Sequence, residues 1–142
     1  MTADGPGRVT AVDTNVLLPI LLGDPADDAE AAYALLRRTA ARGQQLRVYL
    51  WSVAEMVFTL ERRYKVDRAS IAADVSSLLA DPALAVEPEG LLLEALAVYG
   101  QYNVPFGDAL IAMSMRTEGI GAIWSWDRDF ERLPGLERRA PA

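Results

Sequence analysis

Apolar residues along this chain alternate between short continuous runs and helical stripes. Residues 9–12 (Val-Thr-Ala-Val) form a compact apolar run that predicts a first strand. Asp13-Thr14-Asn15 then leads into an apolar segment at 16–22, where Pro19 suits the first turn of a helix. The Ala-rich stretch 26–41 sets Ala29, Ala32, Tyr33, Leu36 and Ala40 at helical spacing, and Gly43 ends it. Residues 46–51 read as a second strand broken only by Arg47, and Ser52-Val53-Ala54-Glu55 has the Ser-x-x-Glu form of a capping box opening a helix to about residue 64. Asp67 can cap a fourth helix with Ile71, Val75, Leu78 and Leu79 on one face, stopped by Asp81-Pro82. A brief strand at 84–86, a helix at 89–102, a loop at 103–107 and a helix at 109–118 ended by Gly119 follow. A last strand is expected at 122–126, then a terminal turn. This alternation predicts an α/β three-layer sandwich with a largely parallel central sheet.

Hydrophobic residues make up 51% of the 142 positions, enough for one domain with a true core and too many for a disordered chain. A flexible leader is expected at 1–8 and a single domain at 9–142. The leader has neither a basic n-region nor an apolar h-region, and no apolar run approaches the ~18 residues of a membrane span. A cytoplasmic protein with no membrane partner is expected. The sequence holds neither cysteine nor histidine, which removes the common zinc ligands, thiolate nucleophiles and Ser-His-Asp triads together. Its chemistry therefore belongs to carboxylates, hydroxyls and arginine. A net charge of −6 argues against nucleic-acid binding through the overall field. Two basic groups, Arg37, Arg38, Arg42 and Arg47 and then Arg62, Arg63, Lys65 and Arg68, read either as solvated helix ends or as a basic rim around an acidic centre.

The acids fall at informative places. Asp13 follows the first strand, Glu55 the second and Asp127 the last, while Asp108 opens an apolar helix. Residues just past the carboxyl ends of parallel strands converge on one edge of a sheet, where such folds bind ligands. Two carboxylates about 4 Å apart repel by roughly 4 kcal/mol at an effective dielectric of 20 unless a cation intervenes. Oxygen-only sets suit Mg²⁺ or Mn²⁺. Each acid also has a plainer reading: Asp13 and Asp108 as helix caps, Glu55 as the third residue of its capping box, and either Asp127 or Asp129 as the cap of the terminal turn. Thr14, Asn15 and Ser125 offer groups that could orient the acids or satisfy local backbone. Trp51, Trp124 and Trp126 are expected to pack core and sheet, with base stacking as the alternative.

Four segments together carry a resemblance: Val-Asp-Thr-Asn-Val-Leu-Leu at 12–18, Ser-Val-Ala-Glu at 52–55, Phe-Gly-Asp-Ala-Leu-Ile-Ala at 106–112 and Ser-Trp-Asp-Arg-Asp-Phe-Glu-Arg-Leu-Pro-Gly-Leu at 125–136. In order and spacing they resemble the signatures of the PIN-domain ribonucleases, especially the VapC toxins of bacterial toxin–antitoxin pairs. The resemblance implies Mg²⁺ or Mn²⁺ held by Asp13, Glu55, Asp108 and an acid of the last motif, Asp127 or Asp129, with Asp127 favoured because it follows the strand. It further implies cleavage of single-stranded RNA, a homodimer and a cognate antitoxin. That partner is expected to lay an apolar helix around Leu17, Leu21 and Leu36 and bring an arginine to Asp13 and Asp108. The chemistry that fits is hydrolysis of a phosphodiester by a metal-activated water.

Three other readings compete. An aspartyl-phosphate fold also places Asp after its first strand, but its phosphatases need Asp-x-Asp where this chain has Asp-Thr-Asn, and Lys65 is the sole lysine. A PIN-fold nuclease acting in RNA processing without an antitoxin would have the same acids. A non-catalytic binding module of this fold would not cleave RNA.

Overall fold

The computed structural model of the chain describes residues 9–141; the leader expected at 1–8 lies outside them. In order the elements are β1 (Val9–Ala11), α1 (Thr14–Leu22), α2 (Ala26–Ala41), β2 (Gln45–Val48), α3 (Leu50–Arg62), α4 (Arg68–Leu79), β3 (Leu84–Val86), α5 (Glu89–Tyr102), α6 (Phe106–Glu118), β4 (Ala122–Trp124), a 3-10 helix (Arg128–Arg132) and β5 (Glu137–Arg139). β1, β2 and β3 form a parallel sheet in that order, with Ala11 beside Arg47 and Val48 beside Val86. β4 and β5 form a second parallel pair, Trp124 beside Arg139. The architecture is the α/β sandwich that the hydrophobic pattern predicts. No helix among the described residues is long and apolar enough to cross a membrane.

Several boundaries differ from expectation, for identifiable reasons. Asp13 is extended and accepts the Thr14 N–H at 2.8 Å, so α1 starts two residues before its apolar segment. Pro19 consequently lies in the second turn rather than the first, buried within the helix. α1 ends at Gly23, whose φ of +67° gives the left-handed cap that glycine adopts without a Cβ penalty. β2 stops at Val48 and α3 begins at Leu50, because the apolar run continues across the strand–helix junction and hides it. The capping box therefore does not form. Tyr49 is the N-cap with no side-chain bond, Ser52 lies inside the first turn, and Glu55 is in the second turn. Likewise α6 begins at Phe106, which puts Asp108 third in the helix. β4 ends at Trp124, not at Trp126, and β5 was not foreseen because Glu-Arg-Arg carries no apolar signature.

The core is built mainly by α3, α4, α5 and α6. Val53, Met56 and Val57 of α3, Ile71, Val75 and Leu79 of α4, and Leu92, Leu96 and Tyr99 of α5 are essentially buried. Full burial of such side chains contributes about 1.5–3 kcal/mol each. Tyr99 meets Phe106 edge to face, with centroids 5.7 Å apart and planes at 81°, which joins α5 to the start of α6. Leu17 and Leu36 are also buried, at 0% and 3% exposure. They belong to this chain's own core, so the antitoxin surface expected around Leu17, Leu21 and Leu36 is largely closed.

The tryptophans depart most from expectation. Trp51, Trp124 and Trp126 are 79%, 66% and 75% exposed. Trp51 is the second residue of α3, Trp124 the last of β4, and Trp126 lies two residues beyond that strand.

Close approach of α4 and α5 is testable at one position. A Cβ at Gly100 would lie 2.8 Å from the Ala72 Cβ, inside contact distance. Gly100→Ala is expected to destabilise the fold by about 1–3 kcal/mol, although alanine is ordinarily the better helix former. Adding Ala72→Gly should then recover stability, where glycine in a helix normally costs about 1 kcal/mol. Urea unfolding midpoints of the single and double variants check this, and additive losses would show that the two helices are not in contact there.

Candidate active site

The first sheet delivers two of the expected acids. The Val12 N–H donates to the Arg47 carbonyl at 3.0 Å, so the β1–β2 ladder runs to the residue before Asp13. Asp13 is exposed, with one carboxylate oxygen engaged by the Thr14 N–H. Thr14 itself is buried, and its hydroxyl donates to the Ser52 carbonyl at 3.3 Å, joining the start of α1 to the first turn of α3. Asn15 is exposed on the same first turn. Glu55 projects from the solvent side of α3, while Val53, Ala54, Met56 and Val57 around it face the core. Having no cap to make, its carboxylate is not committed to its own helix terminus.

The remaining acids come together. Carboxylate oxygens of Asp108, Asp127 and Asp129 all lie within 4.8 Å of one another. Asp108 is held by the first turn of α6, and Asp127 caps the 3-10 helix by accepting the Asp129 N–H at 2.9 Å. The Ser125 hydroxyl oxygen accepts the Asp127 N–H at 3.0 Å and fixes the turn after β4. Asp127 thus serves as cap and also enters the cluster, as does Asp129; the sequence posed these as alternatives. Asp13 and Glu55 are outside the 4.8 Å set.

Electrostatics in the cluster are unfavourable without a cation. Asp108 is pushed above its ordinary 3.8, chiefly by burial and then by the charges of Asp127 and Asp129, with the Asp127 carboxyl close enough to share a proton. Its Oδ2 is buried and accepts no hydrogen bond. A carboxylate with a buried, unsatisfied oxygen, gathered within 4.8 Å of two further carboxylates, matches the donor set of a hard divalent ion, whose ligands are oxygens. The residues present therefore fit Mg²⁺ or Mn²⁺.

Arg132 was not singled out by sequence. Its guanidinium lies 3.2 Å from Asp129 and donates to the Asn103 carbonyl at 3.0 Å, tying the terminal segment to the loop before α6. The Asp-x-x-Arg spacing at 129–132 is the signal that could have found it, since residues three apart meet on a helical turn. The basic groups mostly follow the solvated reading: Arg37, Arg38, Arg42, Arg62, Arg63 and Lys65 are exposed. Arg47 departs from it, half-buried in β2, and Arg68 pairs with Glu61 at 2.8 Å.

Acids just after the parallel strands β1 and β4, with Asp108, Asp127 and Asp129 gathered together, define a class. Residues 10–136 match the PIN domain family, and the chain belongs to it. It is similar to a curated VapC ribonuclease from Aquifex aeolicus (strain VF5), with 30% identity over 122 residues that cover 86% of this chain and 90% of that protein.

A stability test follows from the position of Asp108. Its raised pKa means that folding disfavours the charged form, so its cost is absent below 3.8 and grows as pH rises through the folded-state value. Without divalent ions, Asp108→Asn should therefore melt higher than wild type at neutral pH, and the gap should close on acidification. Millimolar Mg²⁺ or Mn²⁺ should raise the wild-type melting temperature and leave the variant nearly unmoved. A wild type that ignores both ions while the variant melts lower would contradict the cluster's role.

Proposed function

We propose that this protein is a divalent-metal-dependent endoribonuclease, the toxin of a VapC-type toxin–antitoxin pair, acting on single-stranded RNA as a cytoplasmic homodimer. The observation that carries this reading is the buried, unpartnered Asp108 Oδ2 among three converging carboxylates in a PIN fold. The similarity to a VapC ribonuclease supports the choice of RNA as substrate and of an antitoxin as partner.

In this reading Asp108, Asp127 and Asp129 hold Mg²⁺ or Mn²⁺, and Asp13 and Glu55 complete the acidic ring that orients water and substrate. When bound, the ion would offset the carboxylate charge, lower the pKa of a water and stabilise charge developing on the phosphodiester. Arg132 holds Asp129 in place and offsets part of its charge. The Thr14–Ser52 bond keeps α1 and α3, and with them Asp13 and Glu55, in fixed relation. Ser125 sets the turn that presents Asp127. With no histidine in the chain, proton transfer falls to carboxylates and solvent.

The test is cleavage of a labelled single-stranded RNA by the purified chain. Activity is expected with Mg²⁺ or Mn²⁺, none with EDTA, and recovery on metal re-addition; equal cleavage in EDTA, or none with either metal, would refute the reading. Absence of cleavage with intact RNA binding would favour the non-catalytic binding module. Glu55→Gln separates site from scaffold. Because Glu55 makes no cap, its melting temperature should match wild type while activity falls at least about tenfold, a barrier increase of about 1.4 kcal/mol. Full activity in Glu55→Gln would remove Glu55 from the site.

A further inference from the structure

The sequence contains three tryptophans, and all three are mostly exposed. An indole left in water forgoes the burial of an aromatic surface of about 150–250 Å², so three such residues call for an occupant. Trp51 precedes Glu55 by one helical turn, which places the two on the same solvent side of α3. The residue after it, Ser52, is bonded through its carbonyl to Thr14, next to Asp13. Trp126 directly precedes Asp127 in the turn fixed by Ser125. Both indoles therefore stand on rigid local structure within a turn of a site acid.

We infer that Trp51 and Trp126 are stacking platforms that grip unpaired bases of single-stranded RNA, Trp126 next to the acidic cluster and Trp51 one turn from Glu55. The inference rests on the nuclease reading and specifies how its substrate is held. Their surroundings favour a nucleic acid over a protein partner. Trp51 shares its side of α3 with the charged Glu55 and Arg62, Trp126 lies between Ser125 and Asp127 in the chain, and the exposed Tyr49 and Trp124, two residues before them, are aromatic as well. One cation stands near in the chain for a phosphate: Arg128, two residues after Trp126, is highly exposed and touches Glu131 only at 3.9 Å. Alternating indole faces and guanidinium groups are how proteins hold single strands, because every base offers a π-face and every linkage a charge. Duplex RNA keeps its bases stacked inside and cannot use such platforms.

Two measurements on the full chain test this. In the first, a single-stranded oligouridylate and a duplex RNA are titrated into Asp108→Asn protein in Mg²⁺ while tryptophan fluorescence is read. The single strand should quench the emission and the duplex should not; equal quenching, or none, would overturn the inference. In the second, steady-state cleavage is compared among variants. Trp51→Ala and Trp126→Ala should each raise KM for single-stranded RNA about five- to a hundredfold with kcat within about twofold, and Trp→Phe should restore most of the loss. Unchanged KM with active enzyme would sink the stacking role and leave the nuclease reading intact. Quenching without any cleavage by wild type would do the reverse. Should the alanine variants fail to fold, the fluorescence titration of the tryptophan-intact protein still decides. A shift of the monomer–dimer equilibrium in those variants, with KM unmoved, would assign the indoles to a contact between copies and overturn the proposal.

Discussion

Repulsion among like charges is the constraint around which this molecule is arranged. At separations up to 4.8 Å, each pair of charges among Asp108, Asp127 and Asp129 costs about 3 kcal/mol or more at an effective dielectric of 20, less where water reaches the exposed Asp127. Burial is the larger cost at Asp108, whose Oδ2 is buried and accepts no hydrogen bond from the protein. A fold that aims three acids at one another must hold them by other means. It does so by rooting Asp108 in the first turn of α6, tying Asp127 into a capped turn, and clamping Asp129 with Arg132.

The scaffold behind these acids is rigid where the site needs it to be. Tyr99 and Phe106 lock α5 to the beginning of α6, two residues before Asp108. Arg132 reaches from the terminal segment to the carbonyl of Asn103, so both sides of the cluster are fastened to the same loop. On the first sheet, the parallel ladder fixes the end of β1, and Asp13 caps the helix that follows. Capping and ligation are compatible, because a carboxylate has two oxygens and roughly four lone-pair sites. The choice between cap and site that the sequence poses at Asp13 and Asp127 is therefore a false one in chemical terms.

Most of the fold was legible in the hydrophobic pattern, since helices such as α2, α4 and α5 have uniform stripes and clear stops. β3 was legible to the residue. What the pattern concealed lay at junctions. The apolar residues from Leu46 to Trp51 contain both a strand end and a helix start, and period alone cannot divide them. The Ser-x-x-Glu at 52–55 imitates a capping box for a helix that has already begun. β5 was invisible because its burial comes from pairing with β4 rather than from apolar side chains. The tryptophans were misjudged because aromatic residues usually pay their way in the core, and sequence does not say which strand ends protrude. At the site, the sequence pointed to Asp13, Glu55, Asp108 and one of Asp127 or Asp129, whereas the three-dimensional arrangement gathers Asp108 with both Asp127 and Asp129 and leaves Asp13 and Glu55 outside that set.

The central claim is that this cluster is built to hold a hard divalent cation. Anomalous diffraction from a crystal of the chain grown in Mn²⁺ tests it most directly, because the signal locates the ion without reference to activity. The account predicts a peak coordinated by Asp108 together with Asp127, Asp129 or both. A map with no ordered manganese among these carboxylates, or with the ion bound only elsewhere on the surface, would contradict it.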